Sequence, residues 1–413
     1  MNKCSIIIGS MWGDEGKGHI TDILSQENNT LNVRFSGGAQ ASHTVVTPNG
    51  NRHAFRSFGS GTFLGAKTYL SRYYIINLPE YVLERKKLEE SFGLNPKVIV
   101  NPHALVTTFW DVYINQAVET LRGMSRHGSC GFGINETVER SKKLSYQITV
   151  SDLIFRTNLK KKLKIIQEEY VQKRLKEEYN LTLKDLPEKY QALITDEENI
   201  DMFMFYSNEF LKTIEIEENS IISAFDSVVF EGSQGLMLDK DNEEGFPNVT
   251  SSSTGIKNAL EILEDINYTE KVDVYYVSRC YFTRHGAGKL KNELKSIPYS
   301  GVEDRTNVFN EFQGSLRFSY LDFDMLLKSI SKDLEHASEE LKVNVVFTCL
   351  DQLPATMLYY YKSVKNEVYS CDFIKRACEI LKRELPSFNS LYYTYGLTRN
   401  EFNEYKEKVT AYA

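Results

Sequence analysis

The sequence lacks the features that mark secreted, membrane-spanning and zinc-binding proteins. It has six cysteines in 413 residues, and none of them forms a Cys-x-x-Cys pair or a Cys/His spacing suited to zinc. No segment approaches the roughly 20 apolar residues that a membrane-spanning helix needs, and no basic stretch precedes a long apolar run. We therefore expect reduced thiols, no membrane partner and a cytoplasmic location.

An excess of basic residues is missing as well. The 49 lysines and arginines are outnumbered by 56 aspartates and glutamates, which gives a net charge of −7. Proteins that bind nucleic acid generally need a basic surface to neutralise backbone phosphates, so this balance predicts no nucleic-acid partner. The basic run Lys160-Lys161-Lys162 falls in a segment rich in glutamate, and we interpret it as a solvated helix face.

The chain also has no proline- or glycine-rich linker, low-complexity tract or internal repeat, which favours a single domain over residues 1–413. Apolar segments alternate with amphipathic ones, as in an α/β fold with a central, mostly parallel sheet flanked by helices. The pattern predicts strands at 4–9, 32–35, 44–46, 98–100, 227–230, 272–277 and 343–348, and helices near 20–26 and at 110–122. Residues 150–222 are dense in lysine and glutamate and predict a helical insertion, with helices at 159–179 and 200–218.

The most informative segment runs from Gly9 to Gly18 and reads Gly-Ser-Met-Trp-Gly-Asp-Glu-Gly-Lys-Gly. Glycines let the backbone turn tightly and bring its N–H groups to phosphate oxygens, and a following helix directs its positive end to the same anion. The spacing is not that of Walker A, because Gly18 follows Lys17, and the third glycine of a dinucleotide fingerprint is missing. Asp14 and Glu15 would repel phosphate unless a metal ion or a proton transfer requires them. Taken alone, such a pair is more typical of a solvated turn.

Four segments, in the same order along the chain, resemble the adenylosuccinate synthetase family. The segment from Gly9 to Gly18 meets the family signature Gly-x-x-Trp-Gly-Asp-Glu-Gly-Lys-Gly. Residues 37–44 (Gly-Gly-Ala-Gln-Ala-Ser-His-Thr) resemble the family's Gly-Gly-His-Asn-Ala-Gly-His-Thr loop, and residues 230–235 (Phe-Glu-Gly-Ser-Gln-Gly) resemble a third family segment. Residues 283–288 (Thr-Arg-His-Gly-Ala-Gly) are similar to Thr-Arg-Val-Gly-Ala-Gly. The resemblance covers most of the chain and implies a P-loop-NTPase-like α/β fold.

The resemblance implies a ligase that joins L-aspartate to the 6-position of a 6-oxopurine nucleoside monophosphate such as IMP. The N1 proton of the ring is removed, the 6-oxygen attacks the γ-phosphate of GTP or ATP, and the amine of aspartate then displaces that phosphate. Asp14 is expected to be the base, and His43 to protonate or hydrogen-bond the developing oxyanion. Mg²⁺ is the implied cofactor, held by Asp14 and the backbone carbonyl of Ser42.

The same resemblance implies binding residues for each substrate, and a homodimer. Those for the nucleoside triphosphate are Gly13, Glu15, Gly16, Lys17, Gly18, Ser42, Thr44 and Asp351. Those for the substrate nucleotide are Ser129, Cys130, Arg140, Gln234 and Thr250. Those for L-aspartate are Arg305, Thr306, Asn307 and Arg317. For Arg140, a phosphate contact across the dimer interface and a surface salt bridge are equally good interpretations.

The chain departs from the family pattern in three of these places. Ser129 and Cys130 stand where the family has two threonines. Of several arginines in the aspartate-binding segment, only Arg305 and Arg317 remain. Cys349 replaces the lysine of the family's guanine-reading Thr-Lys-x-Asp, which leaves both GTP and ATP as candidate phosphate donors.

These departures resemble the divergent relatives of the family in archaea and phages. Some of the phage relatives aminate dGMP with aspartate and ATP, and a phage-encoded enzyme would work in the host cytoplasm. In that branch a smaller residue often replaces the base, whereas Asp14 is retained here and favours a hypoxanthine substrate. Two alternatives stay open: a synthetase that makes 2-amino-deoxyadenylosuccinate from dGMP, and a nucleotide-binding sensor that has lost catalysis.

Overall fold

The computed structural model describes residues 1, 3–123, 129–304, 314–338 and 340–407. Within these ranges, no helix is long and apolar enough to cross a membrane. The strands are, in chain order, β1 (Lys3–Gly9), β2 (Thr30–Arg34), β3 (His43–Val46), β4 (Arg52–Phe55), β5 (Lys67–Leu70), β6 (Val98–Val100), β7 (Ile214–Ile216), β8 (Ser227–Glu231), β9 (Asp273–Arg279), β10 (Tyr281–Arg284), β11 (Arg317–Asp322), β12 (Lys342–Thr348), β13 (Thr356–Tyr361), β14 (Val364–Tyr369), β15 (Phe388–Thr394) and β16 (Phe402–Glu404).

The α-helices of the described residues are α1 (Lys17–Leu24), α2 (Leu78–Phe92), α3 (Phe109–Arg122), α4 (Ile134–Ser141), α5 (Val150–Ile154), α6 (Arg156–Ile165), α7 (Val171–Tyr179), α8 (Glu188–Thr195), α9 (Glu198–Leu211), α10 (Lys257–Asp265), α11 (Phe323–Leu334) and α12 (Phe373–Glu384). A π-helical turn, Ile166–Tyr170, joins α6 and α7 into one helical run. The predicted helix at 159–179 is thereby confirmed.

The main sheet has ten strands in the order β16-β15-β12-β9-β1-β8-β2-β5-β6-β7. Every neighbouring pair is parallel except β15 and β16 at one edge. Along β1, Ile6 and Ile8 pack on the face covered by α10, α11 and α12, while Ile7 packs with α1 on the other face. Side chains alternate across a strand, so a strand buried on both faces is apolar throughout. The predicted α/β class and each of the seven predicted strands are confirmed.

The helical segment after residue 150 ends earlier than predicted. Helices α5 to α9 lie between residues 150 and 211 and share an apolar core with α2 and α3. The predicted helix at 200–218 is wrong beyond residue 211, because Ile214–Ile216 forms β7 and pairs in parallel with β6 at the sheet edge. Three residues are too few to show a strand's periodicity, and only pairing with a distant strand determines their conformation.

A second sheet, in the order β10-β11-β13-β14, was not predicted. The strand predicted at 44–46 is present as β3, but it pairs with β4 in a separate hairpin and not with the main sheet. The carboxyl ends of the parallel strands lie along one side of the main sheet, which includes β1, β2, β8, β9, β12 and β15. In open α/β sheets, ligands bind just beyond these carboxyl ends, where successive connections turn to opposite faces of the sheet. The loops after these strands contain most of the predicted site residues.

Candidate active site

The segment between β1 and α1, residues 10–16, folds around the carboxylate of Glu15, and we call it the glycine loop. Gly13 and Gly16 have φ angles of 112° and 97°, a region where other residues are strained, so the loop requires glycine at both positions. Oε1 of Glu15 accepts hydrogen bonds from the backbone N–H groups of Met11 at 3.0 Å and Gly13 at 2.8 Å. Glu15 therefore stabilises the turn from inside, and its contact with a triphosphate stays a prediction.

Lys17 places a buried positive charge in the same loop. Its Nζ lies 3.0 Å from Oε2 of Glu15 and donates a hydrogen bond to the carbonyl of Gly13 at 2.7 Å. The side chain is 1% exposed, so the ammonium depends on the carboxylate to offset its lost hydration. An ammonium group has three N–H donors, so a further acceptor can be added to these two contacts, and the predicted phosphate contact of Lys17 stays a prediction.

Asp14 is the half-buried carboxylate of the loop. Its backbone carbonyl accepts a hydrogen bond from Nε of Arg279, whose Nη2 lies 2.8 Å from Oδ2 of Asp304, so the end of β9 fixes the loop's position. Burial raises the pKa of the Asp14 carboxyl, and Arg279 and His285 oppose that increase. A half-buried carboxyl group with a raised pKa is suited to accept a proton.

His43 and Glu231 form a buried pair where β3 begins and β8 ends. Nδ1 of His43 lies 2.6 Å from Oε1 of Glu231, and Oε2 accepts the backbone N–H of Ser60 at 3.0 Å. Burial opposes the charge of Glu231, but His43 and Arg34 lower the pKa of its carboxyl to about 2. Burial lowers the pKa of His43, against the attraction of Glu231. Because the carboxylate favours a proton at Nδ1, Nε2 is the ring nitrogen left available for proton exchange, and the role of His43 with substrate stays a prediction.

Glu231 and Arg279 were not among the residues predicted for the site. Each is the last residue of a buried parallel strand, Glu231 of β8 and Arg279 of β9. A charged residue that ends an apolar strand was the signal that could have identified both.

The loop after β2 packs directly on the start of α1. A Cβ atom on Gly18 would lie 2.6 Å from Cβ of His43, so only glycine lets the two segments approach this closely. Ser42 and Thr44 flank His43 in this loop and at the start of β3. The structure thus brings the two predicted catalytic residues, Asp14 and His43, into adjoining loops.

Two carboxamides meet above Gly37 in the same loop. A Cβ atom on Gly37 would lie 3.0 Å from Oε1 of Gln234 and 3.2 Å from Nε2 of Gln40. Gln234 itself has a φ of 56° and its Cα would lie 3.0 Å from a Cβ on Gly13. Within the described residues, Oε1 of Gln234 and Oε1 of Gln40 are buried and accept no hydrogen bond. Buried polar atoms are normally paired, so these two acceptors indicate a place for a ligand that donates.

Residues 129–133 form the predicted phosphate-binding segment before α4. Oγ of Ser129 donates to Oδ1 of Asn115 at 2.9 Å and accepts the N–H of Gly131 at 3.2 Å. Burial raises the pKa of the Cys130 thiol, so the group stays neutral and is a weaker donor than the threonine of the family pattern.

The start of α4 connects this segment to two other loops. A Cβ atom on Gly38 would lie 2.9 Å from Cδ1 of Ile134, which places α4 against the loop after β2. Oγ of Ser251, next to Thr250, donates to Oδ1 of Asn135 at 2.6 Å. The segment with Ser129 and Cys130 and the loop with Thr250 therefore reach the same side of the site.

Arg140 is fully buried and holds α4 to α3. Its Nε lies 2.9 Å from Oδ1 of Asp111 and its Nη2 lies 2.9 Å from Oδ2, with further donation to the carbonyls of Val106 and Tyr146. The salt bridge of the second interpretation is therefore present, but both side chains are 0% exposed, so its predicted surface position is wrong. A phosphate contact would require this ion pair to open, and it stays a prediction.

Three of the predicted aspartate-binding residues lie outside the described part of the chain: Arg305, Thr306 and Asn307. Arg317 begins β11, where its Nε lies 2.8 Å from Oε1 of Glu293. Its Nη1 also donates to two backbone carbonyls of the turn after β10, at 2.9 Å each. Arg317 is therefore engaged within the chain, and its contact with aspartate stays a prediction.

The last residue of β12, Thr348, contacts the glycine loop, and Asp351 follows three residues later. Oγ1 of Thr348 donates to the carbonyl of Glu15 at 2.8 Å. Cys349, with a φ of 64°, turns the chain sharply, and Asp351 follows on an exposed turn. This turn is at the same edge of the sheet as the glycine loop, which is compatible with the predicted nucleotide contact.

The residues present fit a Mg²⁺ ion that substrate phosphates help to hold. Among the described residues, no group of three or more histidine, cysteine or acidic side chains could hold a metal alone. Mg²⁺ at phosphate-transfer sites typically uses one or two protein oxygens and takes its other ligands from water and phosphates. Asp14 and the carbonyl of Ser42 are oxygen donors of that kind, on the two loops that meet at Gly18.

The fold and the site together are those of an α/β enzyme whose loops, at the carboxyl ends of the parallel strands, are suited to nucleotide phosphates and to proton transfer. The family model described as adenylosuccinate synthetase matches residues 6–405. The chain belongs to this family, and it is therefore a ligase of purine biosynthesis that forms a carbon–nitrogen bond.

Relatives and solved structures agree with the family. The adenylosuccinate synthetase of Mycoplasma mycoides is 32% identical over 333 residues, covering 79% of this chain and 73% of that protein. That of Xylella fastidiosa is 26% identical over 408 residues, covering 96% and 90%. The fully ligated adenylosuccinate synthetase of Plasmodium falciparum has a TM-score of 0.77 at 19% identity, covering 98% of this chain and 100% of that one.

The fold is also similar to that of a phage enzyme. Cyanophage S-2L succinoaminodeoxyadenylate synthetase (PurZ), solved with dGMP and with dATP as an energy donor, has a TM-score of 0.57 at 13% identity. The match covers 98% of this chain and 95% of that one. At this identity the similarity shows the fold and not the choice of substrate.

Proposed function

We propose that the enzyme joins L-aspartate to C6 of IMP or a close 6-oxopurine nucleoside monophosphate, using GTP or ATP, to give adenylosuccinate or an analogue. The observation that supports this proposal most is the adjoining placement of Asp14 and the His43–Glu231 pair around one glycine loop. In this proposal Asp14 accepts a proton, and His43, oriented by Glu231, holds a proton in place. The two steps of the reaction require both functions.

Asp14 removes the N1 proton, and the ring then delocalises its negative charge onto the 6-oxygen. That oxygen attacks the γ-phosphorus, and the nucleoside diphosphate leaves. His43, with Nδ1 held by Glu231, directs Nε2 to the oxygens on which charge develops. The amine of aspartate then adds at C6, and inorganic phosphate leaves with the former 6-oxygen.

Lys17 and the backbone N–H groups of the glycine loop bind the triphosphate in this proposal. Glu15 keeps the Lys17 ammonium in place at 3.0 Å, so the positive charge is present before the nucleotide arrives. Mg²⁺, held by Asp14 and the Ser42 carbonyl, supplies charge neutralisation for the phosphates when it is bound. Asp351 is the proposed contact to the base of the triphosphate.

The remaining assignments follow the family and are proposals for this chain. The substrate nucleotide is held by Gln234, Thr250, Ser129 and Cys130. A hydrogen-bond donor of that nucleotide pairs with the buried Oε1 of Gln234. Arg305 and Arg317 bind the carboxylates of aspartate. We further propose a homodimer that works in the cytoplasm.

The test is phosphate release with Mg²⁺ and L-aspartate for IMP, dIMP, GMP and dGMP, each with GTP and with ATP. Mass spectrometry of the product identifies the succinylated nucleotide. A succinyl adduct of IMP is the expected result. An adduct of dGMP alone would replace the proposal by the phage-type activity, and tight nucleotide binding without any adduct would indicate a sensor.

A further inference from the structure

Two arginines hold the turn that follows β10. Arg284 donates from Nε and Nη1 to the carbonyls of Ala287 and Lys289, at 3.0 and 2.9 Å. Arg317 donates to the two glycine carbonyls of the same turn, at 2.9 Å each. The four backbone carbonyls that follow His285 are therefore all engaged, so the position of His285 is fixed by the protein itself.

The same turn is attached to the glycine loop. The guanidinium of Arg284 lies 5.6 Å from the ring centre of Trp12, a favourable distance for a cation over an indole face. Burial lowers the pKa of Arg284 to about 10, so the group stays charged at neutral pH. Trp12 is two residues before Asp14, and His285 is the next residue after Arg284, so this contact brings together the two backbone segments that carry Asp14 and His285.

His285 has a polar atom without a partner in this place. Its Nε2 is buried, and within the described residues it makes no hydrogen bond. Burial raises the pKa of the Asp14 carboxyl, and after Arg279 the imidazole of His285 also opposes that increase. A buried donor or acceptor that stays unpaired costs stability, and such a cost is expected where a ligand later supplies the partner.

The family pattern has valine at this position, where the chain has His285. A valine methyl group can contact a nucleotide but cannot form a hydrogen bond with it. We propose that Nε2 of His285 hydrogen-bonds to the edge of the 6-oxopurine ring that Asp14 deprotonates. His285 is then a substrate-contacting residue that this chain has in addition to the family's set, and the inference rests on the proposed function.

The ring edge follows from the chemistry of Asp14. The base must face N1, and the neighbours of N1 are the 6-oxygen and the substituent at C2. An imidazole beside Asp14 can donate to the 6-oxygen or accept from a 2-amino group, depending on which ring nitrogen holds the proton. A contact with the 6-oxygen distinguishes a 6-oxopurine from an unsubstituted purine, and a contact with a 2-amino group distinguishes guanine from both hypoxanthine and purine.

The experiment measures binding by calorimetry, without triphosphate or aspartate, for the full chain. The ligands are IMP, GMP and the monophosphate of purine riboside, which lacks both the 6-oxygen and the N1 proton. The variants are His285→Val, which has the family residue, and His285→Gln, whose amide reaches as far as Nε2. His103→Val, at an exposed histidine paired with Glu218, is the matched control.

We expect His285→Val to weaken binding of IMP or GMP about tenfold, the effect of one lost hydrogen bond, and to leave purine riboside monophosphate unchanged. His285→Gln should recover part of the loss, and His103→Val should bind as the parent does. Equal binding of IMP and GMP by parent and His285→Val would overturn the inference. If the parent binds none of the nucleotides, the proposed function itself fails. That result differs from one in which the parent and His285→Val bind IMP and GMP equally well, which overturns only the inference about His285.

Discussion

At the residue scale, the carboxylates of the site differ in how they are held. Glu15 is occupied by two backbone N–H groups and Lys17, and Glu231 by His43 and Ser60. Asp14 is anchored through its backbone carbonyl instead. A carboxylate already satisfied by fixed donors is a poor base, so Asp14 is the group suited to proton removal.

We predict that Asp14→Asn lowers kcat by at least about a hundredfold, because an amide cannot accept the ring proton. The amide has nearly the same shape, and the anchoring carbonyl of residue 14 is unchanged. The thermal midpoint should therefore stay close to that of the parent. Aspartate-dependent phosphate release measures the first quantity and calorimetry the second; a variant with near-parental kcat would remove Asp14 from the role of base.

A second prediction concerns Glu231→Gln. Without the carboxylate, Nδ1 of His43 loses its charged acceptor, and the imidazole no longer keeps its proton on that side. We expect kcat to fall by about one to three orders of magnitude, while KM for the triphosphate changes little. Steady-state kinetics with a fixed excess of aspartate separates the two parameters. An unchanged kcat with raised KM would instead assign Glu231 to substrate binding.

At the scale of elements, the polar ends of the central parallel strands could be predicted from the sequence. The strand at the edge of the main sheet and the second sheet could not. An apolar run that stops at Gly9, Glu231 or Thr348 is visible in the sequence, because burial on both faces requires apolar residues throughout. The strand Ile214–Ile216 and the second sheet depend on pairing with distant strands, which local patterns do not encode. For the same reason, the sequence did not reveal that Arg140 pairs with Asp111 or that His43 pairs with Glu231.

A third prediction follows from Asp333, which joins three elements. On α11, its carboxylate accepts the N–H of Ile256 at the start of α10 at 3.1 Å and the hydroxyl of Tyr276 on β9 at 2.8 Å. Burial raises the pKa of Asp333 to about 7, well above that of an unfolded aspartate. The folded state therefore binds more protons between about pH 4 and pH 7, and the contribution of this group to stability falls as pH rises through that range.

Asp333→Asn should remove this part of the pH dependence. The amide oxygen can still accept one hydrogen bond, and it has no charge to bury. We expect the thermal midpoint of the variant, relative to the parent, to increase from pH 5 to about pH 7 and to level off by pH 8. Calorimetry at four pH values in that range measures the difference, and parallel curves for the two proteins would contradict the prediction.

At the scale of the whole molecule, the last part of the described chain returns to the first helix. Arg399, after β15, places Nε and Nη2 each 2.8 Å from the two oxygens of Asp22 on α1. Asp22 is 0% exposed, and burial raises the pKa of its carboxyl while Arg399 opposes the shift. This bidentate pair connects residues 377 positions apart, next to the helix that begins at the glycine loop.

We predict that Arg399→Met destabilises the protein strongly, by about 3–5 kcal/mol, because it leaves the Asp22 carboxylate buried without a counter-ion. Asp22→Asn together with Arg399→Met should recover much of that loss, since the double variant buries no unpaired charge. Lys328→Met, at an exposed pair with Glu244, is the control and should change stability by less than about 1 kcal/mol. Chemical denaturation of the four proteins gives these values. If the double variant is no more stable than Arg399→Met, then Arg399 acts through packing over α1 and not through the charge of Asp22.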